Sequence, residues 1–89
     1  MKVHEITEYQ NFVSFIVESS DAGCVHVQYR RDQVWQDEQG IWHIAEGEQK
    51  PFHISRLSRP SYEKQQKLSL HLVQAMGTAA KSLMSDTSP

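Results

Sequence analysis

Five histidines and one cysteine are the residues of this 89-residue chain with chemistry beyond packing. Cys24 and His26 stand two apart, which on a strand puts a thiol and an imidazole on one face. His43 and His53 follow on segments that could turn back toward them. Thiolate and imidazole both suit zinc, so Cys24, His26, His43 and His53 form the candidate metal set. The paired short spacings that mark zinc sites, such as Cys-x-x-Cys, are missing. Cys24 and His26 also have the chemical identities of a nucleophile and its base, yet no Gly-rich turn or helix N-terminus beside them offers an oxyanion donor. No Gly-x-Gly-x-x-Gly or Walker-type segment is present to cradle a phosphate. Asp37 and Glu38 read as solvated turn residues. The expectation is a chain with no catalytic residue, no cofactor and no metal, hence not an enzyme, in which Cys24 is a structural thiol.

The elements that would hold these side chains are legible from periodicity. Residues 12–18 are aromatic and β-branched, which favours a strand. A helix competes, because Thr7-Glu8-Tyr9-Gln10 has the form of a capping box and Ile6, Tyr9, Val13, Ile16 and Val17 keep helical spacing. The turn cluster Ser19-Ser20-Asp21-Ala22-Gly23 and the strand after it decide for strand. Residues 24–30 alternate, with Val25, Val27 and Tyr29 on one side and Cys24, His26, Gln28 and Arg30 on the other. A hairpin follows, Val34-Trp35-Gln36 and Ile41-Trp42-His43-Ile44 around Asp37-Glu38-Gln39-Gly40. Its Trp35 and Trp42 are either cross-strand neighbours or on opposite faces. Phe52-His53-Ile54-Ser55 adds a short strand. The expected fold is α+β, a meander of four to five short antiparallel strands with one long C-terminal helix on one face. Residues 1–84 make the single domain and 85–89 a flexible tail.

The helix is expected to start within Ser58-Arg59-Pro60-Ser61 and to run to Met84. Leu68, Leu72, Ala75, Met76, Ala79, Ala80 and Leu83 share one face, widened by Val73, Met84 and Leu70. That apolar arc spans about 180°, against about 100° for an ordinary surface helix. A length near 24 residues also implies overhang beyond strands of about 17–20 Å. The surplus edge Leu70, Val73, Ala80 and Met84 reads as a dimer interface, with a homodimer as the first choice. Gly77 is the residue that decides, since a break there would return both pieces to the sheet. The expected core is Val13, Phe15, Val17, Val25, Val27, Tyr29, Trp42, Ile44, Leu68, Leu72, Met76, Ala79 and Leu83.

Charge is unevenly placed. Residues 1–49 carry three Lys/Arg against nine Asp/Glu, and residues 50–89 carry six against two. The positive charge gathers in Lys50, Arg56, Arg59, Lys64 and Lys67. Hydrophobic content of 38% exceeds that of a disordered tail. No apolar run approaches a membrane span, so no membrane partner is expected, and the N-terminal residues lack the form of a secretory signal. One cysteine and no signal imply a reducing cytoplasm. The functional expectation is a small cytoplasmic protein-binding module, an adaptor or an inhibitor of the kind carried by phages and mobile elements, acting by occluding a partner's surface. Its contact residues are Arg56, Arg59, Lys64 and Lys67 with the sheet residues Gln28, Arg30 and His43. The alternative is nucleic-acid binding, with Tyr29, Trp35, Trp42 and Phe52 stacking beside Arg30, Arg31, Arg56, Arg59 and the basic 50–67 segment. Against it stand a net charge of −2 and the need of a small domain for those aromatics in its core.

Overall fold

A computed structural model describes residues 1–20, 22–47, 50–58 and 67–85. Its elements are β1 (Lys2–Glu8), β2 (Phe12–Ser19), β3 (Gly23–Arg30), β4 (Val34–Gln36), β5 (Trp42–Ile44), β6 (His53–Arg56) and α1 (Leu70–Ser85). The α+β architecture read from the sequence is the observed one. The β2–β3 hairpin is its centre, paired without interruption from Phe12↔Arg30 to Ser19↔Gly23. Its turn closes because the Ala22 N–H donates to Ser19 Oγ at 2.9 Å and Gly23 takes a φ of 74°, which glycine reaches without penalty.

Strand β1 is an addition to the sequence reading. Its period is broken by a bulge between Val3 and Glu5, so simple alternation does not reveal it. Thr7-Glu8-Tyr9-Gln10 is no capping box. Glu8 ends β1, and the Tyr9 N–H donates to the Phe12 carbonyl at 2.8 Å across the tight turn into β2. The lysine and glutamates of β1 suit an edge strand, since charge discourages pairing with another chain.

The expected single meander is instead two sheets, a four-stranded one in the order β1-β2-β3-β6 and a β4-β5 ribbon. Buried Gln33 at the turn after β3 diverts the chain. Its Oε1 accepts the Arg30 N–H at 2.9 Å, and its Nε2 donates to the Lys50 carbonyl at 3.0 Å. That bond to Lys50 helps bring the later segment back toward β3, whose free edge β6 then occupies. The last strand is shifted one residue from expectation, with Phe52 outside it and Arg56 inside. In the ribbon Trp35 faces His43 and Trp42 faces Gln36. A one-residue offset turns the two indoles to opposite sides, leaving Trp35 52% exposed and Trp42 in the core.

Helix α1 begins later than its sequence suggests. Lys67 to Ser69 run extended beside β5, with the Trp42 N–H donating to the Lys67 carbonyl at 3.0 Å and the Ser69 N–H to the Trp42 carbonyl at 2.7 Å. Ser69 is the cap, its Oγ accepting the Leu72 N–H at 3.2 Å. Sixteen residues span about 24 Å, close to the roughly 26 Å of an eight-residue strand. The helix is continuous through Gly77 and is close to the longer strands in length, so the overhang argued from a helix of about 24 residues loses its basis. Ser85, placed in the tail by sequence, lies in the last helical turn. Residues 59–66 and 86–89, with the expected cap Ser61 and most of the expected tail, lie outside the described residues.

The core lies between the sheet, the ribbon and the helix. It contains Val13, Phe15, Val17, Val25, Val27, Tyr29, Trp42, Ile44, Leu72 and Met76 as expected. Val3, Val34, Ala75 and Ala80 join the buried set, whereas Leu68, Ala79 and Leu83 are only half-buried. Ala80 is a correction: assigned to the surplus edge, it is 1% exposed and faces inward.

Tyr29 is fully enclosed, and its hydroxyl has no hydrogen-bond partner among the described residues. Burial pushes the phenol up to about 12. An unsatisfied buried hydroxyl costs about 1–3 kcal/mol, and removing it without changing shape relieves that cost. Tyr29→Phe is therefore expected to raise stability by about 1 kcal/mol in urea denaturation. A loss of similar size would show that the hydroxyl is bonded in solution.

Candidate functional site

Period-2 alternation sends Val13, Phe15 and Val17 to the core, and Phe12, Ser14, Ile16 and Glu18 to the other face of the sheet. Cys24, His26, Gln28 and Arg30 of β3 join them, as do His53 and Ser55 of β6. Among the described residues no element packs on this face. It divides into three zones.

At one end the rings of Tyr9 and Phe12 stack with centroids 4.7 Å apart, and Phe52 meets Phe12 edge-on at 5.5 Å. Tyr9 is 48% and Phe52 51% exposed. The Phe52 N–H donates to the Gln28 carbonyl at 3.0 Å, which fixes this residue beside β3. The middle is a polar network on Ser14. Gln28 Nε2 donates to its Oγ at 3.0 Å, and His26 Nε2 lies 3.1 Å from the same oxygen. The His26 and His53 rings lie 5.8 Å apart. Burial, and then the charge of His53, holds His26 below its ordinary value, with Glu5 opposing. His26 is thus disposed to stay neutral near neutral pH. At the far end His4 Nε2 lies 3.1 Å and Cys24 Sγ 4.0 Å from Glu18 Oε1.

The metal set assembled from sequence does not form. His26 and His53 meet, but Cys24 turns to Glu18 and His4. His43 sits on the separate ribbon, 2.8 Å from Asp37 Oδ2 and stacked on Trp35 at 4.3 Å. The Asp37 carboxyl is held below its usual value, first by His43 and then by the backbone N–H of Ile41, with a smaller contribution from that of Gln39. His43 and Asp37 thereby brace the β4–β5 loop, where Gly40 takes a φ of 84°.

No family model, curated protein or solved structure matches the chain. Any assignment of the surface therefore rests on its own residues.

The expected contact residues scatter. Gln28 and Arg30 share the uncovered face; His43 does not. Arg56 and Lys67 are exposed, while Arg59 and Lys64 lie outside the described residues. Of the expected dimer edge, Leu70 is 69% exposed, Val73 is half-buried and Ala80 is buried; nothing is described of the Met84 side chain. For the stacking alternative, Tyr29 and Trp42 are inside the core, so only Trp35 and Phe52 of that aromatic set reach solvent. Arg30 pairs with Asp32 at 3.2 Å and Arg31 with Glu8 at 3.0 Å. Tyr9 and Phe12 are the members of the surface aromatic cluster that sequence reasoning left out. Period-2 alternation over residues 12–18 puts Phe12 on the face opposite Phe15, a signal present in the sequence.

Proposed function

We propose that the protein is a small non-enzymatic binding module that docks another protein on the aromatic end of its uncovered sheet face, as an adaptor or inhibitor in a cytoplasmic setting. The observation that carries this reading is the Tyr9–Phe12–Phe52 cluster, in which Phe12 touches both other rings and those two are about half exposed. Exposed aromatics backed by a rigid sheet supply large contact area at small entropic cost, and such residues dominate binding energy at protein interfaces. Gln28 and Arg30 stand at the rim. The Arg30–Asp32 pair is exposed on both sides, so it costs little to exchange for a partner's carboxylate. The fitting partner presents an apolar side chain flanked by an acidic one.

The test compares the wild-type chain with a Tyr9→Ser/Phe52→Ser variant, whose changes fall on exposed positions and should leave the circular dichroism unchanged. A protein captured by the wild type and then purified should bind the variant at least ~30-fold more weakly in calorimetry, the loss expected for a hot-spot pair. Equal affinity for both chains overturns the proposal. So does retention of a labelled oligonucleotide that depends on these two residues, or a wild-type dimer in light scattering that the variant dissolves.

A further inference from the structure

The far end of the same face brings together side chains that the aromatic cluster does not use. Glu18 and Cys24 are directly opposed across the β2–β3 ladder. Strand β1 lies beside β2, and its bulge between Val3 and Glu5 places His4 against Glu18. A bulge re-aims a side chain that regular pairing would send elsewhere, and such devices recur beside functional sites. An imidazole, a carboxylate and a thiol thus converge from three adjacent strands. One ligand atom from each lies within 4.8 Å of the other two.

We propose that His4, Glu18 and Cys24 form a binding site for a divalent metal ion of the zinc class, with three protein ligands and a fourth position open to water or to an added ligand. The three donors are the ligand types zinc takes, and three protein ligands with one open position is the arrangement of its reactive sites. Zinc bond lengths of about 2.0–2.3 Å in a tetrahedron put neighbouring ligand atoms roughly 3.4–3.6 Å apart. His4 Nε2 and Cys24 Sγ lie 3.1 Å and 4.0 Å from Glu18 Oε1, and the three ligand atoms all lie within 4.8 Å of one another, so the side chains must adjust to close around an ion. His4 is buried and Cys24 half-buried, which fixes them, while the Glu18 side chain is 43% exposed and leaves one approach open. The mixed sulfur, nitrogen and oxygen donors disfavour calcium and magnesium, which take oxygen. Binding releases the thiol proton, so affinity should rise with pH.

The test uses the full chain, reduced and freed of metal by a chelator, titrated with cobalt(II) and then with zinc. The expected result is one cobalt per chain with a thiolate-to-cobalt charge-transfer band, which zinc abolishes by displacement. Cys24→Ser should remove the band and weaken zinc binding at least ~100-fold, since loss of a ligand exceeds the 10–100-fold cost of losing a supporting group. Glu18→Gln, which keeps the shape of the side chain, should weaken zinc at least ~10-fold with circular dichroism unchanged. His43→Gln and His53→Gln should leave both readouts as in the wild type. Absence of stoichiometric cobalt binding overturns the proposal. So does a complex of two chains per metal, a band that survives Glu18→Gln at full affinity, or a band lost on changing His43 or His53.

Discussion

Phe15→Ala is expected to lower stability by about 3–5 kcal/mol, the cost of emptying a fully buried aromatic site. Phe15 is a core side chain that also joins the two sheets. Its ring meets Tyr29 of β3 edge-on at 6.1 Å and Trp42 of the β4–β5 ribbon edge-on at 5.5 Å. Each such pair adds about 0.5–1.5 kcal/mol beyond area burial. A domain of this size has roughly 5–13 kcal/mol in total at 0.05–0.15 kcal/mol per residue. The variant should therefore melt roughly 12–40 °C lower, at about 4–8 °C per kcal/mol, and be partly unfolded at body temperature. Phe15→Leu, which keeps most of the volume, should cost less than half as much. Urea titration followed by far-ultraviolet dichroism and by tryptophan fluorescence measures both. A loss below about 1.5 kcal/mol, far under the usual large-to-small cost, would show that the ribbon is not held through Phe15.

Leu72→Ala and Leu70→Ala should differ sharply although the residues are two apart on one helix. Leu72 is fully buried and Leu70 is 69% exposed. A 16-residue helix is marginal by itself in water, so α1 depends on the sheet it covers. Leu72→Ala should cost about 2–5 kcal/mol and strip hydrogen-exchange protection from the α1 amides first, because the helix loses its anchor. Leu70→Ala should stay within about 0.5 kcal/mol of the wild type. Equal costs at the two positions would mean that α1 sits rotated about its axis from the orientation described, with Leu70 turned inward.

The helix shows where sequence reading stopped. Its inward residues Leu72 and Met76 follow from the 3.6-residue period, which survives in the amino-acid string. Its start does not, because Leu68 has the same spacing and helical preference yet pairs with Trp42 in extended form. A backbone bond to a strand 26 positions away leaves no local trace. The candidate site divides the same way. Cys24, His26, Gln28 and Arg30 share a face by alternation alone. That His4 rather than His43 joins Cys24 depends on a bulge and on the departure of β4–β5 into a second sheet.

By itself the sequence determined the α+β class, the β2–β3 hairpin with its alternating faces, the ribbon hairpin at Gly40 and most of the core. These rest on side-chain period and turn chemistry, which act over a few residues. Only the tertiary structure decided that β1 pairs at the edge, that two sheets replace one, that α1 starts at Leu70, and that Tyr9, Phe12 and Phe52 form one surface cluster. Those outcomes depend on which distant segments share hydrogen bonds and apolar contacts. Such choices are settled by closing the whole chain around one core, since no short window contains both partners.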